Sequence, residues 1–352
     1  MTANQEWLEY LKAEGAVIEN EKVAYFGAAD DALSDLNEHT IVAPLDDYAV
    51  ISVSGEDSAD FLQNQFSNDV RAVSETRSQL NAYCSPKGRV LTLFRVIKQG
   101  EKYYLLLPQE RLQATLNRLK MFVLRSKVTL EDASAQMGLL GIAGSKATAL
   151  INTLVATTPE QVDDCAYAEP LSVIRIAGEP SRYALFTDFR TLKLAWAKSK
   201  DFATPVSAKH WAYLNIQAGV PEVLEASSDE FVPQMLNLHS LNAINFKKGC
   251  YPGQEVVARM HYLGKQKRRM YLAHIDSDAE PQPGVNLYSE PDAAGQSVGK
   301  IVNITAAPQG GYDALVVVQI AAVENGDPVL TQDNTSLNFK ELPYVVEVEG
   351  KQ

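Results

Sequence analysis

The sequence of 352 residues predicts an α+β fold, in which two α+β sandwich domains are followed by a small antiparallel β-barrel or sandwich. Up to about residue 200, two series of strand-like and helix-like segments follow each other in mixed order, which favours sandwiches over a doubly wound parallel sheet. Beyond Gly264, short β-rich runs alternate with turns that contain proline and glycine, as in an antiparallel barrel. No glycine-rich loop joins a strand to a helix, so we do not expect a Rossmann or P-loop nucleotide site.

The first series opens with a short helix within the first forty or so residues, followed by an irregular segment. Tyr48–Ser54 alternates apolar and small polar residues and predicts a half-buried strand. The acidic start and apolar spacing of Glu56–Phe66 predict a capped amphipathic helix, and leucines at three- and four-residue spacing after Pro108 predict another. Further strands are predicted at Gln79–Cys84, Arg89–Ile97 and Lys102–Leu107.

The second series runs from Gln136 to about Lys200. Its predicted strands are Met137–Ile142, Leu171–Ile176 and Tyr183–Phe186, and its predicted helices pass through Lys146–Leu154 and Leu192–Trp196. In the closing domain the β-rich runs are Met270–Ile275, Gly299–Ile304, Ala314–Ile320 and Leu337–Leu342.

The composition is that of a soluble globular protein. Apolar residues make up 46%, charged residues 22%, and the net charge is −12, which excludes a disordered, fibrous or strongly basic coat protein. Three cysteines without a CxxC pair do not make a disulfide framework. The acidic first residues do not resemble a secretory signal, and the longest apolar stretch, Ala314–Val323, is too short to span a membrane. We therefore expect a cytoplasmic protein without a membrane partner.

Two basic segments interrupt an otherwise acidic chain. Residues 71–127 contain twelve basic and three acidic residues, and residues 247–271 contain seven basic residues and one acidic residue. Because local potential governs the encounter with a charged ligand more than net charge does, either segment can attract an anion. A chance grouping of solvated lysines is the alternative for the first segment. The second is denser, with four basic residues within Lys265–Arg269.

The most informative segment is residues 231–259, where Cys250 lies in the sequence Lys-Lys-Gly-Cys-Tyr-Pro-Gly-Gln-Glu. Pro252 predicts the first turn of a helix. The two preceding lysines and the positive end of that helix would both favour thiolate, the form that nucleophilic and metal-binding cysteines need. A small buried hydrophobe in a tight loop is the alternative. We interpret Cys84 and Cys165, in apolar or irregular surroundings, as structural.

We do not expect a metal site built by this chain alone. His239 and His261 lie eleven residues to either side of Cys250, outside the close spacings of zinc loops. One thiolate could still contribute to a cluster shared with another protein. The five histidines form no Ser–His–Asp or Cys–His pattern, which argues against a hydrolase.

Residues 248–255, KGCYPGQE, resemble the K-G-C-Y-x-G-Q-E signature of the YgfZ family, folate-binding proteins similar to the aminomethyltransferase (T protein) of the glycine cleavage system. The resemblance implies that Cys250 is a functional thiol. The other residues that match the signature are Lys248, Gly249, Tyr251, Gly253, Gln254 and Glu255. Further similar segments are Leu45–Tyr48, Gly55–Val70, Cys84–Gly88 and Trp211–Pro221.

The resemblance implies an aminomethyltransferase-like ring of three domains around a folate pocket, with two ferredoxin-like sandwiches and a C-terminal antiparallel β-barrel. We expect a discontinuous folate-binding domain at residues 1–135 and 205–264, a second α+β domain at 136–204 and the barrel at 265–352. The resemblance also implies tetrahydrofolate as the cofactor. It further implies a part in iron–sulfur cluster assembly or repair, which affects enzymes that include those that thiolate tRNA.

Three residues are expected to contact the rings of folate. Trp211 matches a family tryptophan that stacks near the folate, as an indole face can, although a core position in a helix is the alternative. Tyr48 stands where close bacterial relatives carry a second tryptophan and offers a smaller ring. Gln217 stands where the family tends to carry a pterin-binding glutamate. Its amide has one acceptor and adds donors, which predicts weaker pterin binding or the use of another acid.

The turn after Cys84 departs from the T protein. Where that enzyme has a glycine-rich turn with an aspartate that helps folate take up the one-carbon unit, this chain reads Ser-Pro-Lys-Gly-Arg at residues 85–89. The missing carboxylate argues against aminomethyl transfer and favours a binding or cluster-handling role. Lys87 and Arg89 are candidates to meet the anionic tail of folate, with a solvated turn as the alternative.

These observations support three hypotheses. The first is a folate-binding accessory protein of iron–sulfur cluster maintenance that acts indirectly on tRNA modification, without ordinary catalytic activity. The second is a folate-dependent enzyme that transfers or removes a one-carbon group on RNA or protein, with Cys250 as nucleophile. The third is a non-catalytic RNA-binding module that uses Lys265–Arg269, although no interleaved aromatic residues accompany that cluster. The expected partners are folate and iron–sulfur proteins such as tRNA-modifying enzymes, with tRNA as a candidate and no DNA.

Overall fold

The structure is a computed structural model that describes residues 2–27, 36, 38–289 and 297–347. Within these ranges, no helix is long and apolar enough to cross a membrane. The α-helices are α1 (Ala3–Ala13), α2 (Ser58–Gln63), α3 (Leu112–Met121), α4 (Ala147–Ile151), α5 (Phe189–Ser199), α6 (Ala208–Gln217), α7 (Gln254–Leu263) and α8 (Ile320–Asn325). Short 3-10 helices occupy Val70–Ala72, Gln109–Arg111, Glu225–Ser227 and Pro233–Leu236.

The β-strands of the first half of the chain are β1 (Ala16–Glu19), β2 (Lys22–Phe26), β3 (Thr40–Pro44), β4 (Tyr48–Ser54), β5 (Gln79–Cys84), β6 (Val90–Gln99), β7 (Lys102–Pro108), β8 (Thr129–Asp132), β9 (Met137–Gly144), β10 (Cys165–Ala168) and β11 (Leu171–Ile176). Those that follow are β12 (Arg182–Asp188), β13 (Thr204–Pro205), β14 (Arg268–Ile275), β15 (Asn286–Ser289), β16 (Gly299–Ala306), β17 (Tyr312–Gln319), β18 (Val329–Leu330) and β19 (Leu337–Lys340).

These strands form four sheets. Besides the β1-β2 hairpin, the strand orders are β5-β6-β7-β4-β8, β10-β11-β12-β9-β3-β13 and β18-β15-β16-β17-β14-β19. The last of these sheets closes the chain and is antiparallel throughout. Strand β13 joins β3 in parallel over only two residues. The predicted α+β class with a closing antiparallel sheet is confirmed.

Several predicted elements have the expected bounds. Strands β4, β5 and β11 begin and end at the predicted residues. The helix predicted over Glu56–Phe66 is confirmed as the shorter α2, and the one predicted through Lys146–Leu154 as the shorter α4. Helix α1 is capped by Thr2, whose hydroxyl accepts from the Gln5 amide while the Gln5 side chain accepts from the Thr2 amide.

The prediction of an irregular segment after the first helix is wrong over residues 16–26, because β1 and β2 form a hairpin there. Residues 28–35 and 37 of that segment lie outside the described part of the chain. Asn20 and Glu21 connect the two strands with φ angles of 49° and 61°. Positive φ at both central residues is the geometry of a type I′ hairpin turn. Glutamate rarely takes that conformation, so the pair does not carry the Asn-Gly signal by which such turns are recognised in sequences.

The closing sheet is buried on both faces. Alternate residues of β17 pack into different clusters, with Val316 and Val318 in one and Leu315 and Val317 in the other. The second cluster also contains residues near the cysteine motif, namely Cys84, Val90, Leu236 and Val257. Because successive residues of a strand point to opposite faces, the face that carries Leu315 and Val317 packs against the segments around the cysteine motif.

The chain divides into two compact units. The first comprises residues 1–61, 70–79 and 94–212, and the second comprises residues 62–69, 80–93 and 213–352. The second unit contains the closing sheet and the segments around residues 85 and 250. The division into three domains expected from the family resemblance stays a prediction.

A buried carboxylate ties the closing sheet of the second unit together. Asp313 on β17 is fully buried and accepts hydrogen bonds from His274 Nδ1 (2.8 Å), Lys340 Nζ (2.8 and 2.9 Å) and Gln217 Nε2 (2.7 Å). These partners lie on β14, β19 and α6, so a single side chain links three other elements. A buried carboxylate without such partners would be strongly destabilising.

We predict that Asp313→Asn lowers the free energy of unfolding by about 3 kcal/mol, because the NH2 group that replaces either oxygen faces two donors, Lys340 and one of His274 or Gln217, and leaves a buried cluster unsatisfied. Urea denaturation measures this change. Asp333→Asn, at an exposed position, is the control with the same change in charge and should be neutral. Equal stability of the two variants would show that the cluster does not stabilise the sheet.

Candidate functional site

The two motif segments of the second unit meet through their glycines. Gly88 and Gly253 have φ angles of +70° and +81°. A Cβ added to Gly253 would lie 2.3 Å from Ser85 O and 2.7 Å from Gly88 Cα, and one added to Gly88 would lie 2.8 Å from Val256 Cβ. Both positions therefore require glycine, because the two backbones are in direct contact and both conformations are left-handed.

The turn that begins helix α7 differs from the prediction. Pro252 was expected in the first turn of the helix, but the helix begins at Gln254 with Gly253 at the N-cap. The Gln254 amide donates to Tyr251 O (3.1 Å), and Gly253 has φ +81° and ψ 0°. This is a type II turn with proline and glycine at its two central positions. Cys250 therefore lies just before a tight turn, four residues upstream of the first helical residue.

Lys248 anchors the cysteine loop. Its ammonium donates to three backbone carbonyls that end α2 and follow it, those of Gln63 (2.6 Å), Phe66 (2.6 Å) and Asn68 (2.9 Å). An ammonium has three donors, so these contacts use all of them. The same nitrogen lies 5.4 Å from the centre of the Tyr251 ring. One of the two lysines expected to favour the thiolate is thus a structural residue.

Cys250 is exposed, whereas Cys84 is buried and Cys165 is intermediate. Burial raises the pKa of Cys84 to about 12 and that of Cys165 to about 11. Both thiols therefore keep their protons at neutral pH, as expected of structural cysteines. Cys250 is the accessible thiol of the three, held between the Lys248 anchor and the buried Tyr251.

The remaining motif residues support the loop in different ways. Gln254 Nε2 contacts Lys248 O at 3.4 Å, and Glu255 is exposed in the first turn of α7. Gly249 is exposed, and a Cβ added to it would meet no other atom within 4 Å. Unlike Gly88 and Gly253, Gly249 has no packing requirement for glycine in this structure.

The basic turn after Cys84 is closed by hydrogen bonds from the Gly88 amide to Ser85 O and from the Ser85 amide to Arg89 O. Lys87 is exposed at its tip. The Arg89 guanidinium is exposed but also donates to Glu230 O (2.5 Å) and Asp229 O (3.4 Å). Arg89 therefore fixes the neighbouring loop as well as presenting a positive charge.

A carboxylate that the sequence analysis missed lies at this turn. Asp229 Oδ1 accepts from Ser85 Oγ at 2.7 Å, across 144 positions of the chain. Asp229 is exposed and has φ +62°, a conformation that aspartate tolerates better than most residues. The conclusion that this turn has no carboxylate is thus wrong in three dimensions, and no local pattern in the sequence would have shown the pair.

Gln217 is partly buried, and its amide NH2 is the group that donates to Asp313. A glutamate at this position would bring a second carboxylate against the buried Asp313. The departure from the family's glutamate therefore has a structural reason in this chain. The donor that the sequence analysis counted against pterin binding is used within the protein.

Trp211, in the first unit, is only 3% exposed. The guanidinium carbon of Arg182 lies 4.2 Å from the centre of the indole ring, and a Cβ on Gly141 would lie 2.5 Å from its Cε3 atom. The indole is thus packed between a cation and a strand backbone. This is the core position given above as the alternative, and stacking on folate stays a prediction.

Tyr48, also in the first unit, is half-buried and lines a cavity of about 170 Å³. Aromatic rings of Trp7 and Phe189 form part of its wall, and Asp46 and Gln109 supply polar groups. A cavity of this size holds a single small ring system rather than a drug-sized ligand. Of the residues expected to contact folate, Tyr48 is the one that lines this cavity.

Asp46 is the unusual acid of this cavity. Burial raises its pKa from 3.8 to about 7, although Asp46 Oδ2 accepts a 2.6 Å hydrogen bond from the Val23 amide, which acts in the opposite direction. The neighbouring Asp47 contributes to this raised pKa, whereas Lys22, which pairs with Asp47, acts to lower it. Asp46 lies within the family-like segment Leu45–Tyr48, but two adjacent aspartates give no sign in the sequence of which one is buried.

Among the described residues, no group of three or more His, Cys, Asp or Glu side chains is arranged to hold a metal ion. His239 Nε2 is near Glu347 O, and His261 packs on Phe246. Neither contact brings a histidine next to Cys250 as a metal ligand.

The chain is similar to known proteins in sequence and in fold. Residues 11–184 match the GCVT N-terminal domain family. The protein is 33% identical over 322 residues to the "tRNA-modifying protein YgfZ" of Colwellia psychrerythraea, covering 90% of this chain and 97% of that protein. It is 29% identical over 307 residues to the protein of the same name from Escherichia coli K12, covering 86% and 93%.

Among solved structures, the glycine cleavage system aminomethyltransferase T from Bartonella henselae superposes with a TM-score of 0.74 over 97% of this chain and 98% of that one. The two chains are 14% identical, so the likeness concerns the fold. The expected aminomethyltransferase-like fold is confirmed. The sequence similarity extends over nearly the whole chain, and the protein belongs to the YgfZ family.

Proposed function

We propose that this protein binds tetrahydrofolate and acts as an accessory protein of iron–sulfur cluster assembly or repair that supports tRNA modification, with Cys250 as its functional thiol. The observation that carries the proposal is the cysteine loop. Lys248 and the Gly88–Gly253 contact hold its two sides, and the thiol is exposed between them.

The geometry of the loop suits a thiol that meets another macromolecule. Reaction with a protein or a cluster needs an accessible sulfur, and the two other cysteines are buried or hold raised pKa values. An anchored loop loses little conformational freedom when it engages a partner. The iron–sulfur cluster would be cargo or substrate, with its remaining ligands supplied by the partner.

The link to tRNA comes from the relatives. Those from Colwellia and Escherichia coli are named tRNA-modifying proteins, and this chain covers more than nine-tenths of each. We extend that role to this protein. An exposed thiol on an anchored loop is suited to transferring or protecting an iron–sulfur cluster. We therefore propose that the protein affects tRNA modification indirectly, through the iron–sulfur enzymes that carry it out.

The first unit supplies a cavity that fits one ring of folate. Tyr48 and Trp7 offer aromatic surface, and Asp46 offers a carboxyl group that can accept hydrogen bonds from the amide and amine of a pterin. Asp46 would take the part of the other acid required once Gln217 replaces the family's glutamate. Trp211, Gln217, Lys87 and Arg89 remain the further predicted contacts.

Tetrahydrofolate, when bound, supplies a carrier for a one-carbon unit or additional stability for the fold. The residues of the chain would bind and orient it. Ionised Asp46 would accept hydrogen bonds from the amide and amine of the pterin.

A folate-dependent one-carbon transferase is the second candidate, and one observation favours it. The Asp229 carboxylate beside Ser85 supplies an acid at the turn where the T protein uses one. Its position at an exposed surface leaves it accessible to a substrate. The two candidates differ in that only the transferase consumes the one-carbon unit.

We predict saturable binding of 5-formyltetrahydrofolate, a stable reduced folate, and weaker binding by Tyr48→Ala. The loss should be about three- to tenfold, the value of one aromatic stacking contact. Isothermal titration calorimetry measures it, with Tyr288→Ala, in the second unit, as the matched control. Trp211 is less suitable as a probe, because truncating a buried tryptophan costs about 3–5 kcal/mol of stability.

The pH dependence of the same titration tests Asp46. A pterin that donates to ionised Asp46 should bind about tenfold more tightly at pH 8 than at pH 6, because the carboxyl ionises with a pKa of about 7. Asp46→Asn should remove this dependence. Absence of saturable binding by the wild type would contradict the folate half of the proposal, and binding independent of pH would contradict the role of Asp46.

We predict that Cys250→Ala fails to restore the activity of iron–sulfur enzymes in a strain lacking its own copy of the protein, since the methyl group cannot act as nucleophile or ligand. The readouts are the activity of a tRNA-thiolating enzyme and the level of thiolated tRNA. The control is Cys165→Ala, which should restore both. Cys250 is exposed, so its variant should keep wild-type thermal stability. Full restoration by Cys250→Ala would show that the thiol has no role.

A further inference from the structure

An aromatic cluster lies at the C-terminal end of α7. The rings of Phe246 and His261 stack with centroids 3.7 Å apart and an interplanar angle of 10°. Tyr262 meets both rings nearly at right angles, with centroids 6.4 Å from Phe246 and 4.7 Å from His261. These contacts orient the tyrosine ring, while the residue stays 60% exposed.

Helix α7 leaves much of its apolar surface uncovered within the described part of the chain. Val257 is its buried residue, whereas Tyr262 and Leu263 are 60% and 84% exposed. Single exposed apolar residues need no explanation, but a fixed aromatic group with an adjacent leucine at the same helix end is a typical recognition surface.

Exposed positive charges flank this cluster. Lys265 and Lys267 follow the helix directly, and Arg259 lies one turn before Tyr262. The next two basic residues are less available, because Arg268 donates to Ser297 O (3.1 Å) and Arg269 stacks over the Tyr271 ring. Glu255 is the one acid among residues 247–271, so the local charge is strongly positive in an acidic protein.

We propose that this surface, formed by Phe246, His261, Tyr262, Lys265 and Lys267, binds an unpaired stretch of RNA, with a base stacked on Tyr262 and phosphates at the two lysines. Aromatic rings next to lysines are the recurring solution for single-stranded nucleic acids, because every base has a π-face and every phosphate a charge. The basic charge selects a polyanion, and the oriented ring selects one with bases. Direct contact with RNA goes beyond the function proposed above, in which tRNA is affected indirectly.

The structure also supplies the aromatic residues whose absence from the basic run counted against an RNA-binding module. No aromatic residues are interleaved with Lys265–Arg269, but the fold brings Phe246 to His261 across fifteen positions of the chain. The loop that leads to Cys250 thus begins beside the C-terminal end of α7. An RNA segment on this surface would lie on the same helix that starts at the cysteine motif.

Binding of a fluorescein-labelled, unstructured 12-nucleotide RNA, followed by fluorescence anisotropy, tests the proposal. Tyr262→Ala should bind about five- to a hundredfold more weakly, the loss of one stacked base, while Tyr262→Phe should bind like the wild type. Lys265→Gln with Lys267→Gln should weaken binding and reduce its salt dependence by about 1.4 in the slope of log K against log salt concentration. A duplex of equal length should bind more weakly than the single strand.

Matched variants elsewhere serve as controls. Tyr25→Ala removes another exposed tyrosine, and Lys12→Gln with Lys209→Gln changes the charge by the same amount outside both basic segments, so both should bind like the wild type. The proposal is overturned if the wild type binds no RNA, if Tyr262→Ala matches Tyr25→Ala, or if the protein binds phosphatidylglycerol vesicles through Tyr262 but not RNA. The folate titration is independent of every one of these outcomes.

Discussion

The candidate thiol site depends on the hydrogen bonds that the Lys248 ammonium donates. The ammonium donates to three carbonyls in residues 63–68, a segment remote in sequence from the cysteine loop. The same segment is held by Asn68, whose side chain donates to Leu80 O and Asn242 O. Three stretches of the second unit are therefore joined through backbone carbonyls. Charge-assisted hydrogen bonds of this kind contribute more than neutral ones, about 1.5–3 kcal/mol each.

Features of this protein whose physical signal is local can be predicted from the sequence. Strands such as Tyr48–Ser54 are predicted by alternation and punctuation, and the cysteine motif by its charges and glycines. Contacts of a side chain with a backbone atom, or with a residue far along the chain, cannot be predicted in this way. The Lys248 contacts are with carbonyls that every residue carries, and the contact of Ser85 with Asp229 spans 144 positions. Lys248 could thus be placed in the motif, but its role as an anchor could not be predicted.

Burial is the second reason why site residues were misjudged. The Trp211 indole has the chemistry of a folate contact, but in this structure it packs against Arg182 and Gly141. Asp46 is not distinguished by the sequence, yet burial in the cavity lined by Tyr48 raises the pKa of its carboxyl to about 7. Gln217, counted as a weakness for pterin binding, is explained by the buried Asp313 to which it donates. Each of these properties belongs to the environment rather than to the residue type.

The free energy of unfolding of Lys248→Met, compared with Lys247→Met by urea denaturation, tests most directly whether Lys248 anchors the cysteine loop. Methionine retains most of the apolar stem and removes the donors, so we predict a loss of about 3 kcal/mol or more for Lys248→Met. We predict almost no change for Lys247→Met, because Lys247 is exposed. Equal stability of the two variants would contradict the anchoring role of Lys248.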